Sequence, residues 1–225
     1  MILDSFSKFN PDKIEKLGQI YLKWSSDKKN DVVQRLWNEF NLDTSPLGFV
    51  NSNLTQDLVS SDEYRSFIDE FNARQHFIAT LKHKKRIRKI YEKLSIHCLP
   101  PDLTKEMIRK HDDSKLTVFE EIVGYTIRDV WKVSSNLCSK AAEHHFLTNP
   151  HHPEYFTNKR SDLNENMNKV GLLESIVDKI ALNWEHNYRN YSNPTSVMWK
   201  KLPEEYLENY TEFDKTMIKD ILGTC

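Results

Sequence analysis

The chain has few of the residues that interrupt helices, since its 225 positions hold only 5 glycines and 8 prolines. Such sparse punctuation favours long helices. No segment shows the alternation of apolar and polar residues that a half-buried strand requires. No apolar run approaches the roughly 20 residues of a membrane span, and the first residues lack the apolar core of a secretory signal. We therefore predict an all-α protein with no membrane segment.

Cysteine and excess charge are also lacking. Cys98, Cys138 and Cys225 are odd in number and far apart. This pattern does not indicate a disulfide framework and favours a reducing, cytoplasmic compartment. The 32 Lys and Arg nearly balance the 33 Asp and Glu, which leaves a formal net charge of -1. That balance gives no electrostatic reason to expect nucleic-acid binding.

The first part of the chain differs from the rest. Apolar residues at helical spacing predict a helical hairpin between Pro11 and Phe40. Residues 43–60, which are rich in Ser, Pro, Gly, Asn and Thr, predict a loop or linker. We therefore predict an N-terminal helical appendage at 1–60 and a helical domain at 61–225.

Two further local predictions concern the larger domain. Helical periodicity predicts one long helix from Glu63 to about Leu94. The sequence Thr117-x-x-Glu120 matches a capping box, in which the side chains of the first and fourth residues bond to each other's backbone. We therefore expect a new helix to begin at Thr117.

The residues with the most chemical potential are histidines and aspartates of the central region. They are His83, His111, Asp112, His145, His151, His152 and Asp178. Histidine and aspartate are ligands for Zn, Fe, Mn and Mg. In helical bundles, side chains from separate helices converge to build such sites. A carboxylate can bridge two cations, whereas an imidazole binds one. The pattern therefore indicates a metal site with one or two ions.

Each of these residues also has a purely structural interpretation. The His111-Asp112 pair could cap a helix end, and His83 could be a hydrogen-bonded core histidine. His145 competes with its neighbour His144 for the role of ligand. The remaining candidates could belong to a loop held by two prolines (His151 and His152) or to a solvent-facing helix surface (Asp178, with Glu174).

Other polar features need no metal. We predict structural or surface roles for the remaining histidines considered, His76, His97 and His186. The basic run 82–89 is either a solvated helix face or a source of positive charge near an anionic substrate.

The order His, His-Asp, Asp, with Lys115 four residues after His111, resembles the HD-domain superfamily of metal-dependent phosphohydrolases. The additional histidines are similar to those of its dinuclear branch, which includes cyclic-nucleotide and cyclic-dinucleotide phosphodiesterases. A closer resemblance is to the uncharacterised family DUF5662. The blocks that carry it are Leu81–Lys84, His111–Lys115, Glu120–Tyr125, Glu143–His145, Asn149–Tyr155 and Val177-Asp178. It covers about residues 75–220 and leaves out 1–60.

The resemblance implies a fold and a set of roles. The fold is an HD-domain-like helical bundle. The ligands of one metal would be His83, His111, Asp112 and Asp178. Asp112 would also reach a second metal, together with His145 and one of His151 or His152. The implied catalytic residues are Asp112, Lys115, which would contact a substrate phosphate, and Glu154, which would support a ligand or act as one. The Gly-Tyr-Pro element of the cyclic-dinucleotide branch is absent, so a mononuclear site and the substrate class stay open.

The expected cofactor is one or two divalent ions, of Mn, Fe, Zn, Co or Mg. Such an ion lowers the pKa of bound water from about 15.7 towards about 7 and so supplies hydroxide at neutral pH. The expected substrate is a small phosphate ester, such as a nucleotide or cyclic nucleotide, and a homo-oligomer is compatible with the sequence. One alternative is a di-iron oxygenase on the same scaffold. Another is a non-catalytic, metal-stabilised protein that binds a partner through residues 1–60.

Overall fold

The computed structural model describes residues 10–40, 58–95, 99–157 and 166–225. These residues form helices and no strand, which confirms the all-α prediction. The α-helices are α1 (Pro11–Leu22), α2 (Ser26–Glu39), α3 (Ser61–Arg65), α4 (Ala73–Ser95), α5 (Lys105–Lys110), α6 (Ser114–Thr117), α7 (Phe119–Tyr125), α8 (Asn136–Thr148), α9 (Glu154–Thr157), α10 (Lys169–Asn187), α11 (Val197–Lys200) and α12 (Glu212–Thr224). Within the described ranges, no helix has both the length and the apolar character needed to cross a bilayer.

Two shorter helical types complete the described structure. π-helical turns occupy Ser66–Glu70 and Thr126–Val130, and a 3₁₀-helix occupies Glu204–Leu207. Most of the predicted linker, residues 43–57, lies outside the described residues, as does His97.

The chain divides into two compact units. The first comprises the described residues of Met1–Thr80 and Asp113–His145, and the second those of Leu81–Asp112 and Phe146–Cys225. Helices α4 and α8 contribute residues to both units. This division differs from a boundary at residue 60, so an appendage at 1–60 stays a prediction.

Aromatic side chains form much of the core of the first unit. The ring of Phe67 lies 4.9 Å from that of Tyr21 and 5.2 Å from that of Phe119, measured between centroids. A Cβ atom on Gly124 would lie 2.3 Å from the Cβ of Ala141. Glycine is therefore needed at this position for α7 and α8 to approach each other closely.

The predicted long helix from Glu63 to Leu94 is wrong in its first part. Helix α3 passes into a π-helical turn, in which the Phe71 amide donates to the Ser66 carbonyl at 2.8 Å. Asn72 then adopts a φ of 68°, and α4 begins at Ala73. Asparagine is one of the few residues that enter the left-handed region readily, so a single Asn is enough to end the first segment.

The predicted capping box at Thr117 is also wrong. Thr117 is the last residue of α6, and α7 begins at Phe119 after a Val118 that makes no side-chain cap. The Glu120 carboxylate instead accepts a hydrogen bond from Lys29 at 2.8 Å. An ion pair with a distant helix has replaced the local bond that the sequence pattern suggested.

The second unit packs its core around α4 and α10. Ile87, Ile90 and Leu94 of α4 belong to the same buried cluster as Leu173 and Val177 of α10. This packing fixes the two helix faces that carry the candidate ligands His83 and Asp178.

The first turn of α10 fixes the loop that carries His151. The Asn168 side chain caps the helix by accepting from the Gly171 amide at 2.7 Å. A Cβ on Gly171 would lie only 2.3 Å from the carbonyl oxygen of Pro150. The missing side chain therefore lets the Pro150 backbone lie directly against the start of α10.

His76 is buried and gives the first unit a pH-dependent stability. It is 2% exposed, and its Nε2 donates to the Lys115 carbonyl at 2.8 Å. Burial lowers the pKa of His76 to about 4, whereas an unfolded histidine titrates near 6.5. The unfolded chain therefore takes up the proton first, and the stabilisation is complete above about pH 6.5 and is lost as the pH falls towards 4.

We expect His76→Gln, which keeps the donor and removes the titration, to reduce the loss of unfolding free energy between pH 7 and pH 4 by roughly 3 kcal/mol. Urea denaturation at several pH values measures this difference. The matched control is His186→Gln, at an exposed histidine that bonds to the Tyr206 hydroxyl. Equal acid sensitivity of His76→Gln and wild type would contradict the interpretation.

Candidate metal centre

The His111-Asp112 pair lies where the chain leaves α5. Helix α5 ends at Lys110, His111 has extended dihedral angles, and Asp112 has a φ of 59°. Both side chains are almost completely buried, at 2% and 1% exposure. A non-glycine residue in the left-handed region costs free energy and is concentrated at functional sites. The abrupt change of backbone direction turns two adjacent side chains into the same buried space.

Lysine 84 holds this turn in place. Its Nζ donates to the carbonyl of Arg109 at 2.9 Å and also to that of His111. Two other cations of the basic run have comparable roles, since Arg86 pairs with Glu185 at 2.9 Å and Lys89 donates to the Ser192 carbonyl at 3.0 Å. Lys84, Arg86 and Lys89 therefore make specific contacts within the second unit, so the basic run is not only a solvated helix face.

Three side chains from separate segments form the first potential ligand group: His83 of α4, His111 and Asp178 of α10. The His83 Nε2 lies 3.0 Å from Asp178 Oδ1, and the His111 Nε2 lies 3.6 Å from the same oxygen. Asp178 is only 5% exposed, so the acidic surface position suggested by its local sequence is wrong.

A second group shares His111 with the first and adds Asp112 and His151. Asp112 Oδ1 lies 3.6 Å from the Nε2 atoms of both His111 and His151, and Asp112 Oδ2 lies 3.7 Å from His83 Nε2. The two oxygens of one carboxylate therefore face imidazoles of both groups, which is the arrangement needed to bridge two cations.

The separations around His111 Nε2 fit a metal ion better than they fit hydrogen bonds, whereas the 3.0 Å between His83 Nε2 and Asp178 Oδ1 fits either. Ligands bound at about 2.1 Å stand roughly 3.0 to 3.4 Å apart in octahedral or tetrahedral geometry. In the described part of the chain, the buried Nε2 of His111 has no hydrogen-bond partner. Oxygens of Asp112 and Asp178 each lie 3.6 Å from it, which is too far for a hydrogen bond but close to the spacing of two ligands on one ion.

Two glutamates contact the Nδ1 atoms of His83 and His111, while the Nε2 atoms face the other candidate ligands. Glu185 Oε1 lies 2.9 Å from His83 Nδ1, and Glu174 Oε1 lies 2.8 Å from His111 Nδ1. A carboxylate on Nδ1 selects the tautomer whose Nε2 lone pair is available, and it raises the basicity of that nitrogen. This carboxylate–histidine pairing is the usual surrounding of a metal-bound histidine.

The sequence interpretation missed both glutamates as supports of the site. A signal exists, because Glu174, Asp178 and Glu185 are separated by four and by seven residues, which places them on one face of a helix. That face is polar, however, and the sequence does not show that histidines pack against it. A polar helix face on its own is typical of a solvent-exposed surface.

Proton affinities within the cluster follow from burial and charge. Burial lowers the pKa of His111, but nearby carboxylates, Asp112 first, outweigh this and raise it to about 9. Burial likewise lowers the pKa of His83, and its bonds to Asp178 and Glu185 raise it above the ordinary value. Without a metal, protons on these two rings supply the charge that balances the carboxylates, so a cation must displace them to bind.

His151 and Glu174 are shifted in the opposite direction. Burial and then the charge of His111 lower the pKa of His151 to about 4, which keeps its imidazole neutral at pH 7. Burial raises the pKa of Glu174, but its bonds to His111 and His151 bring it down to about 2. A neutral imidazole and an ionised carboxylate are the forms that metal binding and its support require.

The other predicted site residues are distributed over both units. In the second unit, His152 is buried beside His151, with ring centroids 4.3 Å apart, and Glu154 accepts from Asn209 at 3.0 Å. In the first unit, Lys115 Nζ lies 5.4 Å from the centre of the Tyr125 ring. The roles predicted for His152, Glu154, Lys115 and His145 stay predictions.

The fully buried His145 repeats the carboxylate–histidine pairing within the first unit. Its Nδ1 lies 3.1 Å from Glu121 Oε2 and 2.9 Å from the Ser114 hydroxyl. Glu121 Oε1 also lies 2.6 Å from Nδ1 of His144, whose side chain is 46% exposed. The structure therefore distinguishes the two neighbours, because only His145 is buried. Glu121 is a further residue that sequence reasoning did not single out.

Comparison with known proteins gives one match. A family of unknown function, DUF5662, matches residues 72–224, in agreement with the resemblance found in the sequence. No curated protein and no solved structure matches the chain.

Proposed function

This chain belongs to the DUF5662 family, and we propose that it is a divalent-metal-dependent phosphohydrolase of the HD-domain type. The observation that carries the proposal is the pair of buried histidines, His83 and His111. Each bonds through Nδ1 to a glutamate and directs Nε2 towards Asp178. A carboxylate on Nδ1 with a further carboxylate on the Nε2 side is the usual surrounding of a metal-bound histidine, so the arrangement favours a metal ion.

The residues of the second unit divide into two binding roles. His83, His111, Asp112 and Asp178 would hold one ion, and Asp112 with His151 would hold a second. A bound divalent ion supplies Lewis acidity and lowers the pKa of a coordinated water. The protein would contribute burial, which limits competing water, and the fixed carboxylates, which orient the imidazoles before substrate arrives.

The phosphate ester as substrate class comes from the order of the motif, which is that of the HD-domain phosphohydrolases. The resemblance gives Lys115 a contact to the phosphate and Glu154 the support of a ligand. The proposed substrate is a small phosphorylated molecule such as a nucleotide, because nothing in the composition favours a polymeric nucleic acid.

The test is metal content and turnover of the purified full-length protein. We expect one or two equivalents of Mn, Fe, Zn or Co by elemental mass spectrometry, and hydrolysis of p-nitrophenyl phosphate or its bis ester that chelation abolishes and metal restores. At a metal concentration of about 100 times Kd, binding stabilises the fold by about 2.7 kcal/mol. Chelation should therefore lower Tm by about 5 to 10 °C for a protein of this size.

Other results of the metal and turnover measurements would favour the alternative functions. Oxygen-dependent turnover with bound iron would favour the di-iron oxygenase. Stoichiometric metal and a large chelator effect on Tm, without turnover on either ester or a nucleotide panel, would favour a non-catalytic, metal-stabilised protein. Absence of metal after reconstitution with each ion would contradict the metal centre itself.

A further inference from the structure

A small cavity of about 150 Å³ lies in the second unit next to the candidate ligands. Two pairs of consecutive residues connect the cavity to the metal cluster. His151 and Asp178 belong to the ligand groups, while His152 and Lys179, the next residues in each case, line the cavity. The cavity therefore shares two chain segments with the ligand groups, and His152, which lines it, is itself a predicted ligand.

Lys179 is the cavity residue suited to an anion. Among the residues that line the cavity in the described ranges, it is the one lysine or arginine. Its side chain is 15% exposed, and its Nζ lies 3.5 Å from Asp178 Oδ2. The other oxygen of Asp178 faces His83 and His111. A nearly buried ammonium requires a counter-charge, and Asp178 supplies it through the oxygen that the histidines do not face.

A metal ion bound to Asp178 would change the charge balance between this carboxylate and Lys179. The carboxylate would then share its charge between the ion and Lys179, so the ammonium could accept a second anionic partner from the cavity. Lysine is a frequent ligand for phosphate, acting as a point charge. A phosphate oxygen in the cavity would have Lys179 as its cationic partner.

The remaining walls restrict the rest of the substrate. Glu205 and Glu208 are exposed residues of the cavity lining, and the Glu154 carboxylate accepts a hydrogen bond from Asn209. These carboxylates disfavour negative charge away from Lys179, although water and salt screen the two exposed ones. Tyr206 and Tyr210 also line the cavity and add aromatic residues to its walls. A volume of 150 Å³ is below the roughly 300 Å³ at which pockets for drug-sized ligands begin.

We propose that Lys179 binds the substrate phosphate in this cavity, and that the substrate is a small phosphomonoester whose organic part carries hydroxyl or amino groups and no further negative charge. The proposal rests on the proposed function. It assigns the phosphate contact to a residue of the second unit, whereas the motif resemblance assigns that contact to Lys115.

The experiment uses the metal-reconstituted full-length protein and inorganic phosphate as the probe, with affinities from isothermal titration calorimetry. Lys179→Gln should weaken phosphate binding by about 10- to 100-fold, as expected for the loss of a charged hydrogen bond. Lys179→Arg should recover part of the loss. Affinity for Mn²⁺, measured by dye competition, should change less than about threefold, because Lys179 is not a metal ligand. Lys201→Gln, at an exposed lysine of the same unit, is the neutral control.

Three results would overturn the proposal. The first is unchanged phosphate affinity in Lys179→Gln, and the second is a wild type that binds no phosphate. The third is a parallel loss of Mn²⁺ affinity in Lys179→Gln, which would make Lys179 only a positioning residue for Asp178. A loss in Lys115→Gln together with normal binding in Lys179→Gln would return the role to Lys115. Phosphate binding through Lys179 in a protein that hydrolyses no ester would support Lys179 as the phosphate-binding residue and contradict the proposed function. Ester hydrolysis with phosphate binding insensitive to Lys179 would contradict this inference alone.

Discussion

Replacement of Asp112 by Asn is expected to lower metal-dependent turnover by about 10³-fold or more. Asp112 contributes one oxygen towards His111 and His151 and the other towards His83. An asparagine keeps the shape but replaces one oxygen by an NH₂ group, which cannot bind a cation. Several kcal/mol of metal-derived stabilisation of the transition state would be lost, at about 1.4 kcal/mol per factor of ten. The measurement is kcat/KM for the best phosphate ester found, with metal in excess.

The choice of asparagine separates chemistry from folding. Asp112 has a φ of 59°, and asparagine is among the residues that tolerate this conformation. We therefore expect metal-free Asp112→Asn to keep the backbone of this turn, with some loss of stability because the protonated His111 loses the counter-charge of Asp112. The matched control is Asp113→Asn, the same change at the next residue, where φ is −58°. Retained turnover in Asp112→Asn would contradict both the metal centre and the proposed reaction.

The sequence predicts the structure well where residues close together in the chain decide the outcome. Few glycines and prolines, together with helical periodicity, predicted the all-α fold. His83 lies four residues before Ile87, so a buried Ile87 implied an inward-facing His83 on the same helix face. The structure bears this out, with 0% exposure for Ile87 and 8% for His83.

Sequence reasoning failed where a distant partner decides the outcome. Glu120 looked like half of a capping box because Thr117 stands three residues before it, yet its carboxylate pairs with Lys29 of another helix. Glu174 looked solvent-facing, but it lies under His111, 63 residues away in the chain. Helix periodicity places a side chain on a face of its helix, and only tertiary packing decides what that face meets. Supporting residues of a site are therefore harder to predict than its ligands.

Replacement of Glu174 and Glu185, the glutamates that contact the candidate ligand histidines, gives the second large expected effect, a loss of metal affinity. Glu174→Gln keeps an oxygen that can accept from His111 Nδ1 but removes the negative charge that makes the imidazole more basic. Such partners of metal-bound histidines contribute about 10- to 100-fold to metal affinity. Glu185→Gln should act in the same way through His83. The two glutamates hold different rings, so the double variant should lose about 10²- to 10⁴-fold, as competition with a chelating dye would measure.

This test distinguishes a metal site from a hydrogen-bonded core. In the absence of metal, the glutamates also balance the protons on His83 and His111, so the variants should lose stability with or without a metal site. Only a metal site predicts a loss of affinity that depends on the ion and is approximately multiplicative in the double variant. Glu92→Gln, at an exposed glutamate of α4, should leave affinity unchanged. A change below about threefold in both single variants would mean that the Nε2 atoms of these histidines do not bind the ion, because their basicity would then have no effect on it.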